Sequence, residues 1–121
     1  DEKIRGDFNC NPLDAAINTI NSYKDEYRSV VIISGHNHAN IYEYKNGIHH
    51  ITTTALMNYP TEFRIFDVTK DTIKIRMSQS VSPAIEALSL EILNNPLNIT
   101  ALSKFIYSGI QSDRDITINL P

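Results

Sequence analysis

An Asn-Gly pair between two short runs of strand-forming residues constrains the fold of this chain more than any other feature of its sequence. Asn46 and Gly47 follow residues 41–44 and precede the run 48–54, whose letters are IHHITTT. Asparagine and glycine tolerate the positive φ angles of a tight hairpin turn. We therefore predict an antiparallel hairpin with strands at Ile41–Tyr44 and Ile48–Thr54, split by Lys45-Asn46-Gly47.

The segment before the hairpin predicts a helix and a buried strand. Residues 29–34 contain the run Val-Val-Ile-Ile, and continuous β-branched character is typical of a strand buried on both faces. Further upstream, Asn11 can cap and Pro12 can open a helix that reaches about Tyr23 with its apolar residues on one face. This helix is expected to cover a sheet.

A second strand pair is predicted after the hairpin. Residues 73–77 alternate strictly between apolar and polar side chains, and Glu62–Val68 alternates less regularly. Alternation with a period of two is typical of strands. We predict that the two segments pair in the antiparallel sense, turn near Lys70-Asp71 and continue the same sheet.

The C-terminal third predicts two helices and a last strand. Ser82-Pro83 begins a helix that Asn94-Asn95-Pro96 ends, and Thr100 caps a shorter helix that Gly109 ends. Ile116 and Ile118 alternate with polar residues in a final strand. The order helix, strand, hairpin, hairpin, two helices, strand predicts one mixed α/β unit over residues 1–121.

Composition excludes several classes of function. The 121 residues carry 11 basic and 14 acidic side chains without a long run of either sign, so duplex nucleic acid is not an expected partner. No apolar stretch approaches the roughly 20 residues of a membrane span. The single cysteine, Cys10, makes no demand for an oxidising compartment. The compartment is not fixed by the sequence, and a cytoplasmic location is the default expectation.

The residues that carry chemistry are Gly35-His36-Asn37-His38, directly after the apolar run. In an extended segment alternate side chains point the same way, so His36 and His38 can reach one metal site, and neutral imidazole suits zinc, iron and manganese. Gly35 would let the backbone turn sharply and keep bulk away from the rings, with Asn37 lining the site. The alternative is that both are ordinary loop histidines.

From Val30 to Phe66 the chain resembles the calcineurin-like metallophosphoesterases. Residues 31–38, Val-Ile-Ile-Ser-Gly-His-Asn-His, match the closing Gly-His-x-His motif of that family position for position. The resemblance implies that His36 ligates the second and His38 the first of two divalent ions, manganese, iron, zinc or similar. It also implies hydrolysis of phosphate mono- or diesters by a hydroxide that the metal ions generate. Weaker similarities lie at Tyr59–Arg64 and at Gly109 with Ser112–Arg114.

The fold that the resemblance implies is a four-layer αββα sandwich. This chain would be its C-terminal half, with mostly antiparallel strands at 29–79, two C-terminal helices and a last strand. The family's upstream aspartate, asparagine and histidine motifs do not occur in order among the 34 residues before Gly35. We therefore expect the upstream half in the same protein or in a separate chain. Without its carboxylates, these residues should bind metal weakly or not at all and should be inactive, and no catalytic residue beyond the two ligands is assigned.

Three alternatives stay open at this level. The unit can be a non-catalytic binding or regulatory domain with the same fold. His36-x-His38 followed by Glu43 resembles the ligand motif of a cupin. Gly6-Asp7-Phe8-Asn9 resembles a motif of the exonuclease-endonuclease-phosphatase superfamily, although Arg114 stands where that family requires a histidine.

Other polar residues near the motif are assigned to packing first. His49 and His50 point to opposite faces of a strand, so surface or packing roles are expected. Tyr42 and Tyr44 share one face and should pack. Asn40 is a candidate site-lining residue, and the threonines at 52–54 are strand residues before they are phosphate contacts.

Overall fold

The computed structural model describes residues 11–56, 58–79, 82–95 and 107–121, with two three-stranded sheets and short helices around them. Sequence features outside these ranges are Cys10, the motif at residues 6–9 and the predicted helix start at Thr100. In chain order the elements are α1 (Asn11–Tyr23), a 3-10 turn (Lys24–Glu26), β1 (Val30–Ser34), β2 (Ile41–Lys45), β3 (Ile48–Thr52), β4 (Glu62–Val68), β5 (Thr72–Gln79), α2 (Pro83–Leu93), α3 (Gln111–Arg114) and β6 (Ile116–Asn119).

The predicted hairpin is confirmed as β2 and β3. The two strands pair in the antiparallel sense, and the turn between them has φ angles of 55° at Asn46 and 80° at Gly47. These angles fit the hairpin turn that Asn-Gly favours. Strand β3 ends at Thr52, two residues earlier than predicted, because Thr54 N–H donates instead to the side chain of Asn40.

The first sheet has the strand order β1-β3-β2, so β3, the last of these three strands along the chain, lies in the middle. Strand β1 runs parallel to β3, and its Ser34 is level with Thr52. The carboxyl ends of both strands therefore meet at one edge of the sheet. Residues 35–40 must cross this edge to reach β2, and that crossing places the histidine motif over the end of β3.

The second strand pair does not continue the first sheet, which corrects the prediction. Strands β4, β5 and β6 form a separate antiparallel sheet in that order. The two sheets share one core, in which Ile51 of β3 packs with Ile75, Ile116 and Ile118 of the second sheet. Each buried isoleucine contributes about 1.5–3 kcal/mol relative to exposure, so the two apolar faces are more stable packed together than side by side in one plane.

Strand β1 is not buried on both faces, in contrast to the prediction from its apolar run. Ile33 is 60% exposed and Ser34 is also exposed. Within the described ranges β1 has a hydrogen-bonded neighbour, β3, on one side only. Helix α1 faces β1 across an open cavity of about 410 Å³, lined in part by Ile20 and Val31, and covers the strand incompletely.

Helix α2, the helix end at Gly109 and strand β6 match the prediction for the C-terminal region. Helix α2 begins at Pro83 after Ser82 and ends before Asn94. Tyr107 and Ser108 are helical, and Gly109 follows with φ of 71°, as predicted for a helix end.

A further turn of helix, α3, was not predicted. The side chain of Asp113 caps the start of this helix, since its Oδ2 accepts a hydrogen bond of 2.9 Å from Ile110 N–H.

The predicted mixed α/β class is confirmed, while the four-layer arrangement remains a prediction. Helix α3 is tied to the rest of the fold by Asp113 and Arg114. Asp113 Oδ1 accepts from Tyr42 N–H at 2.9 Å, and Arg114 donates to both carboxylate oxygens of Glu62 at 2.5 and 2.8 Å. The hydrogen bond with Glu62 raises the pKa of Arg114. Among the described residues, no helix is both long and apolar enough to span a membrane.

Candidate functional site

The candidate site is the histidine loop, defined as residues 35–38, at the carboxyl end of β1. Gly35, His36 and Asn37 are exposed, and His38 is half-buried. Strand β3 ends beneath the loop, where Thr53 N–H donates to Ser34 O at 3.0 Å and the Ser34 and Thr52 hydroxyls lie 3.1 Å apart. Sequence and structure therefore agree that the motif lies at a strand end, and the structure adds that residues 35–37 are exposed.

The backbone of the loop is a tight turn and not the extended segment on which the sequence argument relied. Asn37 N–H donates to Gly35 O at 2.9 Å, and His36 between them has φ of 72°. This hydrogen bond and φ angle are those of a γ-turn centred on His36. His38 also has positive φ, at 53°. The expectation that alternation along an extended strand aligns the two rings is wrong, because both histidines leave the extended region of backbone space.

Two non-glycine residues with positive φ in one four-residue loop are unusual. Each such conformation costs on the order of 1–3 kcal/mol and persists only where the surroundings impose it. Strain of this kind is concentrated at ligand sites and active sites. The loop geometry therefore marks His36 and His38 as candidates for a functional role, and the reading of ordinary loop histidines stays open.

Gly35 does not take the strained position that the sequence argument gave it. Its φ lies outside the left-handed region, and no described atom lies within 4 Å of the place that a Cβ would occupy. The sharp turn occurs one residue later, at His36. The second predicted role of Gly35, which is to keep bulk away from the rings, stays a prediction.

His38 is held at both its backbone and its ring. Thr54 Oγ1 donates to His38 O at 3.1 Å, and the Asn58 side-chain amide lies 2.8 Å from His38 Nδ1. Neither partner was singled out as a ligand-supporting residue from the sequence. Asn58 lies 20 positions from His38, in a turn between β3 and β4, so no local pattern signals the contact.

Asn40 is buried next to the histidine loop and does not line an open site. Its side chain is 1% exposed. Oδ1 accepts from Thr54 N–H at 3.2 Å, and Nδ2 donates to Ser108 O at 3.3 Å. Its backbone N–H donates to Tyr107 O at 3.1 Å. Asn40 therefore joins the histidine loop, the end of β3 and the segment before α3, which corrects its assignment as a site-lining residue.

Arg64 is a buried cation that the sequence argument did not identify. It is 9% exposed, its Nε donates to Thr53 Oγ1 at 3.1 Å, and its Nη2 donates to Thr52 O at 3.1 Å. Burial lowers the pKa of this guanidinium, and the charge of Asp113 opposes that effect. Thr52 and Thr53 are therefore engaged by Arg64. The available signal was a charged residue at an inward-facing strand position, flanked by Phe63 and Ile65.

His49 packs between two tyrosines, as the sequence predicted. Its Nδ1 lies 2.9 Å from the Tyr42 hydroxyl, and its ring centroid lies 4.6 Å from that of Tyr44. Burial lowers the pKa of His49, and the neighbouring His50 lowers it further. Burial also raises the pKa of Tyr42. His49 is therefore a packing residue of β3, in contact with Tyr42 and Tyr44.

The lowered pKa of His49 predicts a loss of stability in acid. Because its folded-state pKa lies below the ordinary value of 6.5, the unfolded chain takes up more protons as the pH falls through about 6.5, and the free energy of unfolding decreases. We expect His49→Phe to show a weaker decrease than the wild-type chain between about pH 7.5 and about pH 5. Urea unfolding at several pH values measures this. Equal pH dependence in both chains would contradict the assignment.

His36 and His38 are the two residues of the histidine loop whose side chains could ligate a metal ion. His36 and His38 offer imidazole nitrogens, which suit divalent transition metals. In the described part of the chain, no three His, Cys, Asp or Glu side chains gather where they could hold one ion. Glu43 therefore does not join His36 and His38 as a cupin motif requires. Two imidazoles do not complete a dinuclear centre, and the remaining ligands would have to come from elsewhere.

Comparison of the chain with protein-family models, with curated protein sequences and with solved structures gave no match. The likeness to the metallophosphoesterases accordingly depends on the residues of the sequence motif alone.

Proposed function

We propose that this chain is the C-terminal part of a calcineurin-like metallophosphoesterase and contributes His36 and His38 as metal ligands. The observation that carries the proposal is the position and conformation of the histidine loop. Both histidines have positive φ in an exposed turn at the carboxyl end of β1. An exposed His36 and a half-buried His38, the latter held by a hydrogen bond from Thr54 just after β3, are suited to metal ligation.

The open side of β1 supports the proposal that further residues complete the domain. In the described ranges β1 pairs with β3 alone, and Ile33 is 60% exposed beside the histidine loop. An unpaired strand edge presents backbone donors and acceptors that another strand can pair with. We assign this edge and face to the upstream half of the same domain, covalently joined or as a separate chain. The complete four-layer αββα sandwich is part of this proposal.

The chemistry of the completed site would be hydrolysis of a phosphate mono- or diester. Two divalent ions supply Lewis acidity and an activated water in such a site. His36 and His38 would each offer a ring nitrogen to these ions. The supporting residues form a chain of hydrogen bonds next to the loop. Thr54 donates to His38 O, and Asn40 accepts from Thr54 N–H. Arg64 donates to Thr52 O at the end of β3 and to the Thr53 hydroxyl that follows.

A comparison of two chain lengths tests this function. We expect the 121-residue chain to show no hydrolysis of a generic phosphodiester, and a chain extended by roughly 150 natural upstream residues, enough to complete a domain, to be active. Metal content of both purified chains, measured by elemental analysis, should be high only in the longer one. Activity of the shorter chain by itself would refute the division of the site between two halves.

A non-catalytic domain is the second candidate function. It is favoured by the absence of a three-residue ligand group among the described side chains. The same experiment separates the two functions, because a longer chain that folds but holds no metal would support the non-catalytic domain and contradict the enzyme.

A further inference from the structure

The side chains of Asn58 and His38 are in contact beside the histidine loop. The Asn58 amide lies 2.8 Å from His38 Nδ1. Asn58 is itself fixed by its backbone, since its N–H donates to Ala55 O at 3.2 Å and its O accepts from Thr61 N–H at 2.6 Å. Thr54 fixes His38 O in the same way, at 3.1 Å. Both residues of the pair are therefore held in place while the side-chain hydrogen bond forms.

A neutral imidazole has one N–H donor and one acceptor nitrogen, so the partner of Nδ1 decides the state of Nε2. When the Asn58 Nδ2 group donates to Nδ1, the ring proton is on Nε2, and Nε2 has no lone pair for a metal. When the amide is rotated by about 180°, Oδ1 accepts from Nδ1–H, and the Nε2 lone pair is free. Both arrangements use the same heavy-atom positions.

We infer that Asn58 is a positioning residue for His38 that fits either tautomer, with Nδ2 toward Nδ1 in the metal-free ring and Oδ1 toward Nδ1–H when Nε2 binds a divalent metal. This inference rests on the proposed function for its metal-bound state. A metal-ligating histidine ordinarily donates its other ring N–H to an oxygen acceptor. A carboxylate serves only that state, whereas an amide serves both.

The contact between Asn58 and His38 contributes little to the stability of the fold. Asn58 is exposed, and a solvent-exposed side-chain hydrogen bond contributes at most about 1 kcal/mol. Its loss should therefore lower the metal affinity while the fold remains intact. This separation distinguishes a positioning role from a structural one.

The metal-free part of the inference is tested by nitrogen-15 NMR of the His38 ring at about pH 8, where a free histidine is neutral. In the 121-residue chain we expect the proton on Nε2. In Asn58→Asp the carboxylate can only accept, so we expect the proton on Nδ1. A ring that keeps its proton on Nε2 in Asn58→Asp would overturn the inference.

The metal-bound part is tested by zinc titration of the chain that includes the upstream half. We expect Asn58→Ala to weaken zinc binding about 10-fold or more, the usual effect of losing a residue that orients a ligand, and Asn58→Asp to restore it. Asn21→Ala, an exposed asparagine on α1, is the matched control and should bind as wild type does.

The outcomes of the two measurements are distinguishable. Wild-type zinc affinity in Asn58→Ala would overturn the positioning role and leave the proposed function standing. A wild-type chain that binds no zinc would refute the proposed function and with it the metal-bound state of Asn58. The tautomer measurement on the metal-free chain would still decide whether Asn58 controls the ring.

Discussion

Alanine at His38, and separately at His36, is expected to lower phosphodiester hydrolysis by more than about 100-fold in the chain that carries the upstream half. Removing a residue that only orients a metal ligand costs about 10–100-fold, and removing the ligand itself should cost more. Each variant should also lose bound metal. The measurements are the initial rate of hydrolysis and the metal content of the purified protein.

His50→Ala is the matched control for this prediction. His50 is half-buried in the middle of β3, and no role in the candidate site is assigned to it. We expect it to retain metal and activity, provided that its urea unfolding curve shows a folded chain. Full activity in either His36→Ala or His38→Ala would remove the basis for the proposed enzyme, whatever the control shows.

Gly109→Ala is expected to destabilise the fold strongly. An added Cβ would lie 2.5 Å from Asn40 O and 3.0 Å from the Asp113 Cβ, and Gly109 has φ of 71°. The backbone strain and the overlap together should lower the free energy of unfolding by ~2–4 kcal/mol. Urea unfolding measures this change. Because Asn40 joins the histidine loop to this segment, the site should be disturbed as well.

Gly35→Ala is the comparison that isolates the cause. A Cβ at Gly35 meets no described atom within 4 Å, and its φ is outside the left-handed region. We expect the free energy of unfolding to change by no more than about 0.5 kcal/mol, as for an ordinary surface substitution. Equal destabilisation by the two substitutions would show that close approach and positive φ at Gly109 are not what the fold depends on.

Local sequence preferences predicted the elements of this fold well wherever those preferences are strong. Asn46-Gly47 determined the hairpin because the required backbone angles are available to few other residues. Pro83 after Ser82 determined the start of α2, and strict alternation determined β5. In each of these cases a few neighbouring residues determine the backbone conformation.

The candidate site was predicted only in part, because some of its contacts join residues that are far apart in the sequence. The placement of His36 and His38 at a strand end followed from the apolar run before them. Their backbone conformation did not, since the γ-turn depends on hydrogen bonds made around the loop. Asn58 and Arg64 were missed because their partners lie 20 and 11–12 positions away.

The sequence by itself determined most of the helices, strands and turns, although not α3, and that two histidines follow an apolar strand. Only the tertiary structure decided that β4 and β5 leave the first sheet, that β1 has an open edge and that Asn40 joins the loop to residues 107–108. The physical reason is the separation along the chain over which each kind of interaction acts. Backbone preferences are set by neighbours along the chain, whereas burial, strand order and side-chain hydrogen bonds are set by residues that only folding brings together.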